Sequence, residues 1–588
     1  MPTTADVLVE TLIAWEVKVV FGLPGDGING VMEALRTRQD RIRFVQVRHE
    51  ESAAFMASAY AKWTGGLGVC LATSGPGGTN LLTGLYDAKL DHAPVLAITG
   101  EQFHDLVETF TQQDIDLTRV FADVAVFNAR VSDAAHMENL ASLACRSALS
   151  KRGVAHLTIA NDVQEQGLGE TERSMRNRAG HVPNRWFDGR KLPSDAELDE
   201  AADLLNRASR VAILAGRGAM GAVAELERTA DLLGAPVAKA LLGKAVLPDD
   251  HRFTTGGIGI LGTLPSQEAM ETCDAVLIVG STFPYIEYYP KPGHAKGVQI
   301  DSDGQRIGLR FPVDVGLVGD SRETLERLNQ RLERKTDRAF LEAAQAGMVR
   351  WREMMATSEA KTGPALKPQA VARAFGRRLP DDAVLTTDSG QNTELAAGHI
   401  DLRAGQAFGV SGTLASMACG LPYAIAAGIA FPGRPVFAVV GDGGFAMQLG
   451  EFSTAVRHLL PLKILVIKNN MLNQIAWEQM MFLGNPQFGC ELQPIDFARA
   501  AEAMGGVGFA VSDPGELDGV LDRAFATEGP VVIEAVVDAS EPMMPPKMPP
   551  QYAKNFENAL PETPGHDAIA ASVAEEPART MMNGGRPK

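Results

Sequence analysis

The sequence predicts an α/β protein made of three doubly wound, parallel-sheet domains. Short apolar runs alternate with amphipathic helical patterns along most of the chain, which favours parallel strands covered by helices on both faces. The 588 residues far exceed what one hydrophobic core accommodates. Two polar connections, over 166–194 and 336–366, predict domains at 1–165, 195–335 and 367–545, followed by a C-terminal tail over 546–588.

The first domain shows the alternation of strands and helices most regularly. Apolar residues at helical spacing predict a helix over 4–15. Glycine-rich turns follow two of the predicted strands, and an alanine-rich helix follows Arg48-His49-Glu50-Glu51. The first and third domains are therefore expected to share one architecture. The strands of the first domain are predicted over 17–21, 42–47, 68–73 and 94–99, with the turns over 22–27 and 74–80.

The second domain is expected to begin with a strand over 211–215. The connection over 336–366 carries charged helical patterns, and several prolines open the tail. We expect the last residues of the tail, 581–588, to be disordered.

Composition and charge exclude several classes of protein. A net charge of −17 argues against nucleic acid or anionic lipid as the main partner. The opening residues lack a signal-sequence pattern, and the longest apolar region is interrupted by Pro422, so we expect a cytoplasmic protein without an integral membrane segment. The cysteines lack metal-type spacing and are expected to be buried, reduced thiols: Cys70, Cys145, Cys273, Cys419 and Cys490.

The most informative stretch runs from Gly441 to Asn469. An apolar run, the turn Gly441-Asp442-Gly443-Gly444, a helical pattern and a second apolar run predict a βαβ unit. Its polar residues fall at the carboxyl ends of the strands, the edge at which open α/β sheets bind ligands. Glycines allow close approach of a diphosphate, and Asp442 and Asn469 offer the hard oxygens that Mg²⁺ prefers. The alternative is an ordinary turn with a capping aspartate.

This stretch resembles the thiamine-diphosphate (ThDP) enzymes, whose signature is Gly-Asp-Gly followed by a terminal Asn. Either Asn469 or Asn470 could match that Asn. The pyruvate oxidase and acetolactate synthase branches place it 27 positions after the Asp, which selects Asn469 in this sequence. The resemblance implies Mg²⁺ ligands at Asp442, Asn469 and the main-chain carbonyl of Met471.

Glu50 resembles the glutamate that activates the cofactor in this family. A carboxylate at the pyrimidine ring nitrogen promotes the imino tautomer that removes the thiazolium proton. The alternative is a first-turn acid that interacts with the helix dipole. Glu50 and Asp442 are almost four hundred residues apart, so the site must form between domains. The resemblance implies a site between subunits, with a homodimer as the minimal active unit and a homotetramer as the expected assembly.

Other segments resemble cofactor contacts of the family. Met417 lies where a large apolar residue wedges between the cofactor rings, although a buried methionine is more often core filler. Residues in loops near the ends of predicted strands complete the set that the resemblance implies for cofactor binding. They are Pro24, Gly25, Ser389, Gly390, Gln391 and Ser416, together with Gly441, Gly443 and Gly444.

Two further residues are candidates for contact with the substrate. Gln113, in Phe110-Thr111-Gln112-Gln113-Asp114, matches the family's Phe-Gln-Glu element imperfectly, and an ordinary polar loop is the alternative. Glu478 lies where pyruvate oxidases place an acid and acetolactate synthases a Trp. That difference favours the oxidase branch.

The second domain contains a GxGxxG sequence over 216–221, which fits the dinucleotide fingerprint literally. The following strand ends without the acid that would hold a ribose, so tight packing is the preferred interpretation over NAD binding. Later segments instead resemble those that contact FAD in quinone-linked pyruvate oxidases. The implied FAD residues are Gly259, Ile260, Thr282, Phe283, Pro284, Tyr285 and Asp301.

The resemblance covers residues 4 to about 550 and is closest to the quinone-linked pyruvate oxidases. It implies an enzyme with ThDP, Mg²⁺ and FAD that decarboxylates a 2-oxo acid, with pyruvate favoured, and oxidises the resulting enamine through the flavin. Quinone or O₂ is the implied electron acceptor. The alternatives are an acetolactate synthase-type carboligase and a paralogue without activity. The tail lacks a sustained basic, amphipathic face, so peripheral membrane contact is not favoured.

Overall fold

A computed structural model describes residues 1–169, 173–543 and 545–576. It contains three six-stranded sheets in which every strand pair is parallel, so the predicted fold class is confirmed. The central strands Val95–Glu101 and Leu462–Lys468 are buried along their whole length, because helices cover both faces of the sheet there. Within these ranges, no helix is long and apolar enough to cross a membrane.

The first sheet has the strand order β2-β1-β3-β4-β6-β5. Its strands are β1 (Val19–Gly22), β2 (Arg43–Gln46), β3 (Gly68–Ala72), β4 (Val95–Glu101), β5 (Ala125–Val131) and β6 (Val154–Ala160). Its helices are α1 (Thr4–Ala14), α2 (Asn29–Arg36), α3 (Glu50–Thr64), α4 (Pro76–Asn80), α5 (Leu82–Leu90), α6 (Leu117–Val120), α7 (Ala134–Lys151) and α8 (Asn161–Glu165).

The second sheet has the order β12-β11-β10-β7-β8-β9. Its strands are β7 (Val211–Ala215), β8 (Val237–Lys239), β9 (Thr254–Gly257), β10 (Ala275–Val279), β11 (Lys296–Asp301) and β12 (Val315–Val318). The helices are α9 (Asp195–Arg207), α10 (Val223–Leu233), α11 (Leu264–Thr272) and α12 (Ser321–Asn329), and α13 (Ala339–Glu359) leads towards the third sheet.

The third sheet has the order β14-β13-β15-β16-β18-β17. Its strands are β13 (Val384–Thr387), β14 (Ala407–Gly409), β15 (Val436–Gly441), β16 (Leu462–Lys468), β17 (Val507–Val511) and β18 (Val531–Val536). The helices are α14 (Pro368–Arg377), α15 (Gln391–Gly398), α16 (Gly420–Ala430), α17 (Asp442–Met447), α18 (Phe452–Arg457), α19 (Asn473–Glu478), α20 (Phe497–Ala503) and α21 (Leu517–Ala526).

The tail folds back onto the third domain through two helices, α22 (Pro550–Ala559) and α23 (His566–Ala574). Trp477 stacks on Phe556 of α22 with ring centroids 5.7 Å apart. Met480 and Met481 join the same apolar cluster, so the tail covers the segment that follows α19. The expected disorder over 581–588 concerns residues outside those that the structure describes, and the predicted domain boundaries remain predictions.

The first and third domains share one hydrophobic core, whereas the second has its own. The shared cluster joins the inner face of α3 to α16, and small residues such as Ala57 and Ala427 permit close packing there. In contrast, the main cluster of the second domain contains only residues between 198 and 341. All five cysteines are free and buried, as expected.

Candidate functional site

The third sheet changes direction between β13 and β15, and the loops after these strands meet at their carboxyl ends. A Cβ at Gly441 would lie 3.2 Å from Asn392 Oδ1, and one at Gly390 would lie 2.9 Å from the same atom. Gly390 also has a φ of 134°, which side chains rarely adopt. Open α/β sheets bind ligands at such a switch point, so this crevice is the candidate cofactor edge.

Asp442 is fixed at this edge by main-chain donors. Its carboxylate accepts hydrogen bonds from the N–H of Gly443 at 2.9 Å and from the N–H of Asn470 at 2.6 Å. The side chain is only 5% exposed, and its burial raises the pKa of the carboxyl group. A cation next to this carboxylate would favour its ionised form.

Asn469 lies beside Asp442 and is oriented by two hydrogen bonds. Its Oδ1 accepts from the N–H of Met471 at 3.1 Å, and its Nδ2 donates to Gln391 Oε1 at 3.2 Å. Asn473 donates to the same Gln391 oxygen at 2.8 Å. The structure therefore brings two predicted residues, Asn469 and Gln391, into direct contact. Asn470 instead uses its main-chain N–H and has a left-handed φ of 55°.

The donor set at this edge suits a hard cation. The described residues contain no group of three or more His, Cys, Asp or Glu side chains that could hold a metal. A cation here would therefore rely on one carboxylate together with amide and carbonyl oxygens, a combination that Mg²⁺ accepts when phosphates and waters complete its octahedron. The side-chain oxygens of Asp442 and Asn469 keep lone pairs beyond the bonds described. The residues present thus fit Mg²⁺ and a diphosphate.

Met417 lies close to the glycine loop after β15, and its role as a wedge between the cofactor rings stays a prediction. A Cβ at Gly443 would lie 3.3 Å from Met417 Cε, and it would also meet Leu472 and Leu492. The residues around Met417 are strained, since Ala415 and Ala418 have φ values of 56° and 68°. Strain of this kind persists only where the surroundings impose it.

Asp388 is a functional candidate that sequence reasoning missed. Its Oδ1 accepts from the N–H of Gly420 at 2.5 Å, which fixes the segment after Met417. Its Oδ2 lies 2.1 Å from the position of a Cβ at Gly444 and has no hydrogen-bond partner among the described residues. Burial raises the pKa of this carboxyl group to about 6. The adjoining Ser389 donates its N–H to the carbonyl of Ser416 at 3.4 Å.

Glu50 begins α3 and is 6% exposed. Its Oε2 accepts from Asn80 Nδ2 at 3.0 Å, and its Oε1 lies 3.3 Å from the position of a Cβ at Gly77. These partners belong to the first domain, whereas those of Asp442 belong to the third.

Pro24 and Gly25 lie in the turn after β1, at the switch point of the first sheet. Pro24 is exposed. A Cβ at Gly25 would lie 2.5 Å from Thr73 Cβ, so only glycine fits beside the loop after β3. The two predicted cofactor contacts therefore lie at a ligand-binding edge.

Gln113 lies in a strained loop near Glu50. Its Oε1 accepts from Ser74 Oγ at 2.6 Å, and its φ is 58°. Asp114 holds this loop by accepting from the N–H groups of Glu108 and Phe110 at 2.9 and 2.8 Å. Phe110 is fully exposed.

Glu478 ends α19, where its Oε1 accepts from Gln474 Nε2 at 2.9 Å. A π-helix over Gln479–Leu483 follows directly. Such π-helical turns are frequent at functional sites, because they redirect side chains within a helix.

The GxGxxG loop packs tightly at the switch point of the second sheet. The Gly218 N–H donates to the carbonyl of Gly280 at 3.0 Å, and a Cβ at Gly216 would lie 2.4 Å from the same oxygen. Close packing alone therefore accounts for Gly216 and Gly218, and a bound nucleotide is not needed to explain them.

The residues predicted to contact FAD lie in the loops after β9 and β10 and at the end of β11. Gly259 has a φ of 97°, and a Cβ there would lie 2.9 Å from Phe283 Cζ. Tyr285 is 52% exposed, and Thr282 and Pro284 lie in the same segment. Asp301 is 5% exposed, and its burial raises the pKa of its carboxyl group. These residues leave polar and aromatic groups at one sheet edge, which suits a flavin nucleotide.

A cavity of about 200 Å³ adjoins the predicted flavin loop. Ile260 and Gly262 line one side, Trp351 of α13 lines another, and Gln391 of the diphosphate edge also reaches it. The cavity thus connects the flavin loop to a residue that contacts Asn469. Sequence reasoning assigned no role to Trp351.

The fold and the site together are those of a multidomain α/β protein whose sheet edge suits a diphosphate cofactor and a hard cation. Three family models match the chain: the N-terminal TPP binding domain over residues 2–120, the central domain over 198–328 and the C-terminal TPP binding domain over 388–535, all of the thiamine pyrophosphate enzymes. The chain belongs to the thiamine pyrophosphate enzyme family and is a ThDP-dependent enzyme.

Curated relatives extend over nearly the whole chain. YdaP of Bacillus subtilis (strain 168), named only as a thiamine pyrophosphate-containing protein, is 40% identical over 94% of this chain and 95% of its own. The pyruvate oxidase of Lactiplantibacillus plantarum is 31% identical over 92% and 89%, respectively. The acetolactate synthase isozyme 3 large subunit of Escherichia coli (strain K12) is 29% identical over 93% and 96%. Since YdaP's name gives no reaction, the predicted closeness to quinone-linked pyruvate oxidases remains a prediction.

Proposed function

We propose that this enzyme uses ThDP and Mg²⁺ to decarboxylate a 2-oxo acid, with pyruvate as the favoured substrate, and that FAD accepts the two electrons. The observation that carries the proposal is the edge of the third sheet at which Asn469 donates to Gln391 and the N–H of the adjoining Asn470 donates to Asp442. ThDP, when bound, supplies a carbanion that attacks the keto carbon and then accommodates the electron pair left when CO₂ departs.

Each chain residue has a defined task in this proposal. Asp442, Asn469 and the carbonyl of Met471 would hold Mg²⁺ and thereby the diphosphate. Glu50 would exchange a proton with the pyrimidine ring nitrogen, because Asn80 occupies only one of its two oxygens and burial excludes competing water. Met417 would hold the cofactor bent, since it presses against the glycine loop.

We propose that a second copy of the chain completes the site. Glu50 and Asp442 take their partners from different domains of one chain. Exposed apolar residues surround both edges, which is typical of surfaces that become covered on assembly. They are Phe103, Leu106 and Phe110 near Gln113, and Ile475, Leu483 and Phe488 near Glu478. A homodimer would be the minimal active unit and a homotetramer the expected assembly.

The cavity between the flavin loop and Gln391 supports electron transfer to FAD, because it adjoins both predicted cofactor edges. The acid at Glu478 also favours the pyruvate oxidase branch of the family. Acetolactate synthase-type carboligation is the second candidate. It is favoured by the almost equal similarity to the Escherichia coli synthase, and a flavin could be structural in such an enzyme.

Anaerobic flavin spectroscopy distinguishes the two candidates. The protein is reconstituted with ThDP, Mg²⁺ and FAD, and a panel of 2-oxo acids is added without oxygen. We expect pyruvate to bleach the oxidised-flavin absorbance, and added quinone or O₂ to restore it. Consumption of pyruvate with an oxidised flavin and release of a hydroxy-oxo acid would instead establish the carboligase.

A further inference from the structure

The segment that carries Glu50 is attached to the third domain of its own chain through the residues on either side of Glu50. On the N-terminal side, both carboxylate oxygens of Glu451 accept from the N–H of Arg48, at 3.0 and 3.1 Å. The N–H of His49, the N-cap residue of α3, also bonds to this carboxylate. Glu451 is 1% exposed, so these bonds are shielded from water.

On the C-terminal side, Gln448 binds the next two residues of α3. Its Nε2 donates to Glu51 Oε2 at 2.7 Å, and its Oε1 accepts from Ser52 Oγ at 2.7 Å. Gln448 is also buried. Every residue from 48 to 52 except Glu50 is therefore bonded to one of two side chains in the third domain.

Glu50 itself points elsewhere: its Oε2 accepts from Asn80, and its Oε1 lies 3.3 Å from the position of a Cβ at Gly77. Successive residues of a helix point about 100° apart, so bonds to residues 51 and 52 fix the rotation of the first turn without touching Glu50. Bonds to residues 48 and 49 fix where that turn begins. Together they determine the direction of the Glu50 carboxylate.

We propose that Glu451 and Gln448 are positioning residues that hold Glu50 in register for proton transfer to the cofactor. The inference rests on the proposed function, in which Glu50 activates ThDP. Both residues lie in the short turn directly after α17, the helix that begins at Asp442. The segment that begins at Asp442, the proposed Mg²⁺ ligand, thus also orients Glu50, the acid proposed to act on the pyrimidine ring.

A carboxylate is needed at 451 because it faces donors on every side. The N–H groups of Arg48 and His49 and the hydroxyl of Thr454 all point at it, the last at 2.6 Å. A glutamine there would turn an NH₂ group towards one of these donors and displace the turn. A misplacement of about 1 Å at a reacting group can cost about 10²-fold in rate.

The test measures exchange of the thiazolium proton of bound ThDP with D₂O, by rapid quench and NMR, together with the affinity for ThDP. We expect Glu451→Gln and Gln448→Ala to slow exchange at least about tenfold while ThDP affinity changes by less than about threefold. Ser453→Ala is the matched control, because Ser453, in the first turn of the following helix α18, accepts a hydrogen bond, among the described residues, only from the exposed Arg48 side chain, at 2.9 Å. In the Ser453→Ala variant, the thiazolium proton of bound ThDP should exchange at the wild-type rate.

Wild-type exchange in both variants would overturn the proposal. So would weaker ThDP binding with normal exchange in the bound fraction, since the residues would then act only through the diphosphate loop. If Glu451→Gln fails to fold, Gln448→Ala decides alone. Glu50→Gln is measured in parallel. Unchanged proton exchange in this variant would refute the activating role of Glu50 and with it the proposed function. Slow exchange in Glu50→Gln together with wild-type exchange in the Gln448 and Glu451 variants would refute only the positioning role.

Discussion

Replacement of Asp442 by alanine should abolish Mg²⁺-dependent retention of ThDP while leaving a folded apoprotein. The carboxylate is the only charged side chain among the proposed metal ligands and is 5% exposed. Removing one partner of a buried ion pair costs about 3–5 kcal/mol, which corresponds to a loss of about 10²- to 10³-fold in affinity. The N–H groups of Gly443 and Asn470 also lose their acceptor, which should lower the free energy of unfolding by about 2–4 kcal/mol.

The two effects require separate measurements. Titration with ThDP at fixed Mg²⁺, followed by tryptophan fluorescence or calorimetry, gives the affinity, and urea unfolding of the apoprotein gives the stability. Asp567→Asn serves as control, because that side chain is 99% exposed. Wild-type ThDP affinity in Asp442→Ala would refute the assignment of this residue. A loss of affinity in full proportion to a loss of folded protein would show that Asp442 is structural.

Three further substitutions test other parts of the site. Asn469→Ala should weaken ThDP retention more than Asn470→Ala, because Asn470 bonds Asp442 through a main-chain N–H that alanine keeps; the reverse order would make Asn470 the ligand. Asp388 has a pKa near 6, above its unfolded value of about 3.9, so its stabilising contribution is complete below about pH 4 and disappears as the pH rises through 6. Asp388→Asn should therefore gain stability relative to wild type between pH 4.5 and 7.5, on the order of 2 kcal/mol in urea unfolding, and a pH-independent difference would contradict this. Phe556→Ala should lower the free energy of unfolding by about 2 kcal/mol, because Phe556 stacks on buried Trp477; an unchanged midpoint would show that α22 contributes little to the fold.

Local patterns predicted the fold and much of the candidate site. The alternation of apolar runs with helical patterns predicted three parallel sheets, because central strands such as β4 and β16 are buried on both faces and therefore read as largely apolar runs. Asp442 and the Asn469–Asn470 pair could be found because turn glycines and strand ends mark the ligand-binding edge in the sequence itself. The choice of Asn469 and the role of Glu50 came from the resemblance to the family. Their roles remain predictions for the experiments above.

Other residues gain their importance only from distant contacts. Glu451 matters because Arg48, about four hundred residues earlier, donates to it. Lys468 forms a buried ion pair with Glu534 at 2.6 Å on the neighbouring strand. No periodicity or local motif encodes such pairings. The docking of the tail onto Trp477 was missed for the same reason, since its apolar residues are few and broken by prolines.

The core shared by the first and third domains makes the second domain an insertion within one folding unit. Separate expression of residues 1–165 would leave the alanine-rich face of α3 without α16, so that fragment should aggregate or recruit the third domain in trans. Native-state hydrogen exchange should show α3 and α16 opening together, while β7 and β10 open independently. The ThDP-binding edges then depend on a pairing between segments almost four hundred residues apart, so we expect their assembly to be the slow step of folding.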